Sequence, residues 1–252
     1  MTRRQFHGAP ANPSALRRYF DESATPVAAL WFVMPGVILY EVGTWHFTYD
    51  PVHQTEQRIV AFSFLRDLLA AAGATARWVA PAAVVSILVW QTVLRKDPWR
   101  VSVITLLGMT LESLLLILPL LALGLLMSRI PLNNFDPELA KGLISSIGAG
   151  IYEELVFRLI AFAALYAAFV DFLGIRERYA SGIILLVTAA GFSSYHYWGD
   201  EPFAVQSFVF RFVAGLYFGW LLITRGFGVT AGCHAAYDMF VIMRLLNHPV
   251  VN

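Results

Sequence analysis

Ile151-Tyr152-Glu153-Glu154-Leu155-Val156-Phe157-Arg158-Leu159 places two carboxylates and a guanidinium inside Gly142 to Phe172. That stretch is otherwise apolar for longer than the ~20 residues a bilayer core requires. Burying one ionisable group at the centre of a membrane helix costs roughly 2.5–3.5 kcal/mol on insertion scales, so three together call for partners or a polar cavity. Residues four apart share a helix face, which lets Glu154 and Arg158 pair within one segment. Glu153 lies about 100° round the helix and is left without a local partner. An unpartnered carboxylate in a poorly solvated site is a candidate general base.

The rest of the chain supports a membrane reading. Of 252 residues, 58% are hydrophobic and 14% charged, and the mean hydropathy is +0.63, above the range of soluble domains. Apolar segments at Val27–Gly43, Trp78–Leu94, Val101–Met127, Gly142–Phe172, Ala180–Trp198, Phe203–Thr224 and Val229–Leu246 give seven expected spans in an all-α polytopic protein enclosing an intramembrane polar cavity. An eighth segment, Ile59–Ala72, carries Arg66 and Asp67 midway; it reads as an interfacial helix near 58–74, with a crossing as the other choice. The organisation expected is therefore a polar tail at 1–26, N-terminal transmembrane helices at 27–138 and a second helical unit at 139–247.

Basic residues gather in alternate connections: Arg3, Arg4, Arg17 and Arg18 in the tail, then Arg95, Lys96 and Arg100, then Arg176 and Arg178, then Arg225. Seven crossings from a cytoplasmic N-terminus require that pattern. The membrane expected is the bacterial cytoplasmic membrane. Arg58, Arg66 and Arg77 in one opposite connection work against the contrast. Thr2-Arg3-Arg4-Gln5-Phe6 resembles a twin-arginine export signal, but no apolar segment follows it for about twenty residues, so the arginines read as anchors. The single cysteine, Cys233, excludes an internal disulfide and a cysteine zinc cluster. A formal charge of +1 with no basic patch gives no reason to expect nucleic acid. The partners expected are the lipid bilayer and a membrane-associated protein or peptide.

Two further polar groups fall within late apolar segments: Phe192-Ser193-Ser194-Tyr195-His196 and His234-Ala235-Ala236-Tyr237-Asp238. His234 and Asp238 are four apart, so the carboxylate can orient the imidazole or share its ligand. Ala235 and Ala236 allow a neighbouring helix to come close. Glu153, His196, His234 and Asp238 form a donor set for a divalent metal such as zinc, with one position left for water. The same residues also suit a metal-free route: Glu153 as base, one histidine holding the water, and the other with Asp238 stabilising the oxyanion. The one-helix zinc signature HExxH is absent, and the sequence leaves both routes open. On straight spans His196 would sit near one boundary and His234 about 9 Å from the other. Their meeting therefore requires a recessed helix end at His196 and an inset turn at Arg225–Gly228.

EELVFR at Glu153–Arg158, FSSYH at Phe192–His196 and HAAYD at His234–Asp238 resemble, in order, the EExxxR, FxxxH and HxxxN/D motifs of the CPBP family. This family is also called the Abi or type II CAAX prenyl endopeptidase family of intramembrane proteases. The resemblance covers about Leu139 to Asn247. It implies a helical membrane endopeptidase, metallo- or glutamate-dependent, in which Glu153 and His196 activate water and His234 and Asp238 complete the site. Glu154, Arg158 and Phe192 would support those residues. Asp238 stands where the eukaryotic prenyl proteases have asparagine, adding a potential negative charge. A non-catalytic immunity or sorting scaffold with the same fold is the alternative. A transporter fits less well, because its polar groups would be spaced along a route through both halves of the membrane.

Glu112 and Arg211 lie near the centres of their spans and are expected to pair, while Glu41 sits too near a helix end to weigh. Gly215-Leu216-Tyr217-Phe218-Gly219 is a GxxxG expected to pack helices inside the protein. Cys233 is expected to pack rather than act as a nucleophile.

Overall fold

The computed structural model describes residues 14–127 apart from positions 54 and 77, then 139–198 and 201–247, with side chains described as far as Met243. Helices dominate: α1 Ala15–Ser23, α2 Pro26–Thr48, α3 Val60–Ala71, α4 Val79–Arg95, α5 Val103–Leu115 and α6 Leu118–Leu126. α7 is Leu139–Gly148 and runs, with α8 (Ala161–Tyr166), in a composite helix from Leu139 to Phe172. α9 Glu177–Tyr195, α10 Val205–Arg225 and α11 Phe227–Asn247 follow. A two-residue antiparallel pair, β1 Tyr49–Asp50 with β2 Thr55–Glu56, closes the loop after α2.

Among the described residues, four helices are long and apolar enough to cross a membrane: Pro26–Thr48, Val103–Leu126, Leu139–Phe172 and Val205–Arg225. Val79–Arg95 and Phe227–Met243 are shorter apolar helices. The protein is an all-α integral membrane protein. α9 has 19 residues but opens on Glu177 and Arg178, which keeps it out of the apolar set. α3, at 12 residues, is only about 18 Å long, short of a ~30 Å hydrocarbon core. The expected span Val101–Met127 is broken at Leu116–Ile117. Pro119 cannot donate its missing N–H, and its ring crowds the carbonyl four residues back. Beside that break, the Leu116 carbonyl accepts from the Tyr217 hydroxyl at 2.8 Å.

One end of the bundle is tied by polar contacts. The Glu22 carboxylate accepts from the Ser102 backbone N–H at 2.7 Å, and Arg225 donates to Ser23 Oγ at 2.8 Å. The C-terminus of α1, the start of α5 and the turn after α10 therefore meet. Gly226 makes that turn at φ 81°, a left-handed value that glycine adopts without steric cost. Trp31, Trp45, Trp78, Trp90, Trp99 and Trp198 are all exposed on the outer surface, as interfacial tryptophans are.

The composite helix is not the regular α-helix its apolar length predicts. π-helical turns occupy Ala149–Glu153, Leu155–Ile160 and Ala167–Phe172, and such turns recur at functional sites. The first of them is pressed against α11. A Cβ on Gly150 would lie 2.6 Å from the Ala231 carbonyl oxygen and 2.7 Å from the Ala235 nitrogen. Glycine therefore permits a backbone approach that any other residue would hold apart. The GxxxG acts as expected: a Cβ on Gly215 would lie 3.0 Å from Ala189 Cα, and Gly219 faces Leu185, so α10 seats on α9. The main core joins α2, α3, α4 and the composite helix through Val37, Tyr40, Phe62, Leu65, Leu88 and Leu155.

Gly150→Val forces the composite helix and α11 apart. The expected cost is about 1–3 kcal/mol from overpacking, read as a lower thermal unfolding midpoint in detergent. An unchanged midpoint would mean the contact is not as tight as described.

Candidate active site

The polar centre forms where the Glu153–Arg158 turns meet α9, α10 and α11. Glu154 is fully buried and lies between Arg158 and His234. Its Oε1 is 2.7 Å from His234 Nδ1, and its Oε2 is 3.2 Å from Arg158 Nε. The pairing of Glu154 with Arg158 read from their spacing is present, and His234 is an additional partner. The carboxylate can only accept at Nδ1 of His234, which fixes the ring and leaves Nε2 facing the site. That Nε2 is 3.7 Å from Glu153 Oε2 and 3.5 Å from Asp238 Oδ2.

Arg158 is the largest fully buried side chain. Besides its ion pair with Glu154, its Nη2 donates to the Gly215 carbonyl at 3.2 Å, and its guanidinium lies 4.2 Å from the Phe192 ring centroid. A planar, weakly hydrated cation tolerates such a setting because carboxylate, carbonyl and π-face together replace water. Phe192 also separates the two imidazoles, its ring 5.1 Å from His196 and 5.7 Å from His234, both edge-on. Phe218 stacks on His234 at 4.5 Å and 18°. This packing brings together the helix ends that straight spans would keep apart.

His196 follows α9 as the first residue of a single 3₁₀ turn, His196–Trp198. Its Nδ1 lies 2.8 Å from the Phe192 carbonyl. A carbonyl only accepts, so Nδ1 carries the proton and Nε2 keeps a lone pair. Glu153 Oε2 is buried without a hydrogen-bond partner, as are Glu154 Oε2 and Arg158 Nε and Nη1 beside it, and a cluster of such atoms is uncommon in native structures. Tyr195 is 4% exposed, its hydroxyl interacts with Glu153, and its ring packs 4.3 Å from His196. The Asp238 side chain is 31% exposed, against 5% for His234 and 7% for Glu153, so the site opens on the Asp238 side.

Two expectations are corrected. Glu112 does not pair with Arg211: it receives Arg225 Nη2 at 2.7 Å and the Tyr19 hydroxyl, while Arg211 forks onto Glu201 at 2.7 and 2.9 Å. Each charge is matched by the opposite charge that the packing brings into contact with it, which depth along the chain does not reveal. Glu41 is buried at 5%; Tyr152 donates to it at 3.1 Å and Arg58 at 2.9 Å. Distance along the helix is the wrong criterion there, because the β1–β2 hairpin folds back over that end. Cys233 is buried among Ile117, Leu120, Phe218 and Leu221, as a packing cysteine is. Arg3, Arg4 and Arg77, and the side chain of Arg244, lie outside the described residues.

Among the described residues no group of three or more His, Cys, Asp or Glu side chains is placed to hold an ion.

The family model described as type II CAAX prenyl endopeptidase Rce1-like matches residues 135–240. The family resemblance carried by the three motifs therefore holds for this part of the chain, somewhat under half its length. No curated protein and no solved structure matches the chain.

Arg158→Met leaves Glu154 buried with one fewer cationic partner. The expected loss is about 3–5 kcal/mol, seen as poor membrane accumulation. Adding Glu154→Gln removes the orphaned charge and should recover part of the yield; no recovery would place the role of Arg158 elsewhere.

Proposed function

We propose that this chain, whose residues 135–240 match the Rce1-like type II CAAX prenyl endopeptidases, hydrolyses a peptide bond of a membrane-associated protein or peptide with water activated by Glu153. The observation that carries this reading is the unpartnered Glu153 Oε2, buried beside the Nε2 of His234. A water admitted from the Asp238 side gives a proton to that oxygen. His196, holding its own proton on the Phe192 carbonyl, accepts the second hydrogen of the water at Nε2 and aims the water's lone pair at the substrate carbonyl. His234, its Nδ1–H donated to Glu154, acts in the protonated form and donates its Nε2–H to the oxyanion of the tetrahedral intermediate, while the Asp238 carboxylate supports the imidazolium. Glu153 then returns its proton to the leaving amine, which restores the starting state.

The finer topology proposed is seven crossings in a bacterial cytoplasmic membrane with the N-terminus in the cytoplasm. Supporting it are the alternate basic connections and the meeting of three of them at one end of the bundle. No step of this mechanism runs through a metal.

Glu153→Gln keeps the size and packing of the side chain and removes the base, so it should accumulate normally and lose cleavage by about 10²-fold or more. Comparative membrane peptidomics of cells carrying each form reads the result. Identical peptide profiles would favour a scaffold without catalysis. Cys233→Ala should retain turnover, because the thiol is packed away from Glu153. Full activity after metal removal by chelation is the expected outcome; loss restored by zinc would replace this mechanism.

A further inference from the structure

A second buried polar chain abuts the site from outside the residues that the family model matches. Tyr152 precedes Glu153 in the first π turn and is fully buried. Its ring lies 5.3 Å from Tyr40 of α2 and 5.0 Å from Phe62 of α3, the latter edge-on. Its hydroxyl donates to Glu41 Oε1 at 3.1 Å. Glu41 Oε2 in turn receives Arg58 Nη1 at 2.9 Å, with the two side chains only 6% and 5% exposed. Arg58 also bonds Glu56 of the hairpin and lies 4.5 Å from the centroid of the Phe62 ring. Its neighbour Ile59 donates its backbone N–H to the Tyr40 hydroxyl at 3.3 Å.

A π turn has poorer intrahelical hydrogen bonding than an α turn, so outside contacts set its rotation. Gly150 fixes one side of this turn against α11, and Tyr152 fixes the other. Rotation about the helix axis is the freedom that would swing Glu153 away from His234. A buried ion pair contributes little net stability for its desolvation cost. Its value here is geometric: it holds Glu41 still as the acceptor for Tyr152.

We infer that Arg58, Glu41 and Tyr152 are positioning residues that hold the Glu153 carboxylate in register with His234, coupling the segment ahead of α3 to the reaction centre. This inference rests on the catalytic reading under Proposed function. Tyr152→Phe preserves every ring contact and removes one hydroxyl. With a cleaved substrate from the peptidomic comparison, kcat should fall roughly tenfold while KM stays within about twofold, because alignment is lost and binding is not. Hydrogen exchange of full-length protein in detergent should show faster exchange confined to residues 149–154, with α9 and α10 unchanged. Arg58→Lys, which keeps the charge and loses the planar fork, should move both readouts the same way by a smaller factor. Wild-type kcat and wild-type exchange in Tyr152→Phe overturn the inference, and so does exchange that rises equally throughout the bundle. If the unaltered protein cleaves nothing, the catalytic reading falls, while the exchange measurement still decides whether the clamp holds the turn.

Discussion

Glu154 is the group on which the rest of the centre depends. Buried without water, its charge must be matched on both oxygens, and Arg158 and His234 meet that requirement from opposite sides. The match draws in the surroundings: Arg158 requires the Gly215 carbonyl and the Phe192 ring, and His234 requires Phe218 against its face. Three helices are thereby referenced to a single carboxylate. A low-dielectric setting strengthens each of these contacts and penalises any partial version of them.

Pairing Glu154 in this way leaves Glu153 without Arg158, beside His234 and Tyr195. Adjacent acids on one helix look interchangeable, yet their environments divide them: Glu154 is held by His234 at one oxygen and paired with Arg158 at the other, while Glu153 Oε2 lies 3.7 Å from His234 Nε2 on the side of Asp238. The small residues make that division possible. Gly150 against Ala231 and Ala235 brings the two backbones close enough for a short carboxylate to reach the imidazole. Bulk at any of the three would lengthen the Glu154–His234 contact, and Arg158 would then carry the charge alone.

Much of this is legible in the chain. The four-residue spacings of Glu154 to Arg158 and His234 to Asp238 announce shared helix faces, and both pairs are in contact. The glycines of the GxxxG pack α10 on α9, and Cys233 lies in an apolar cluster. Partnerships across helices are far less legible. Depth in the span matches Glu112 with Arg211, but each takes a nearer opposite charge, Arg225 and Glu201. Glu41 looks peripheral for lying near a helix end, although a hairpin folding back can bury such a residue as fully as the middle of a helix. No periodicity marks the π turns, because one extra residue per turn changes the hydrophobic pattern less than ordinary sequence variation does.

The sequence alone determined the features set by length, composition and local spacing: an all-helical membrane chain, three polar motifs in apolar segments, and the pairs four residues apart. These depend on covalent connectivity and the geometry of one helix, which can be computed from the order of residues. Only the tertiary structure decided that Glu154 holds His234 as well as Arg158, that Phe192 sits between the histidines, and that Tyr152 reaches Glu41 and Arg58. The hydrogen bonds among them join residues 17 to 111 positions apart. Their existence depends on how closely helices approach and how each is rotated, which is set by glycine contacts and charge neutralisation summed over the whole bundle.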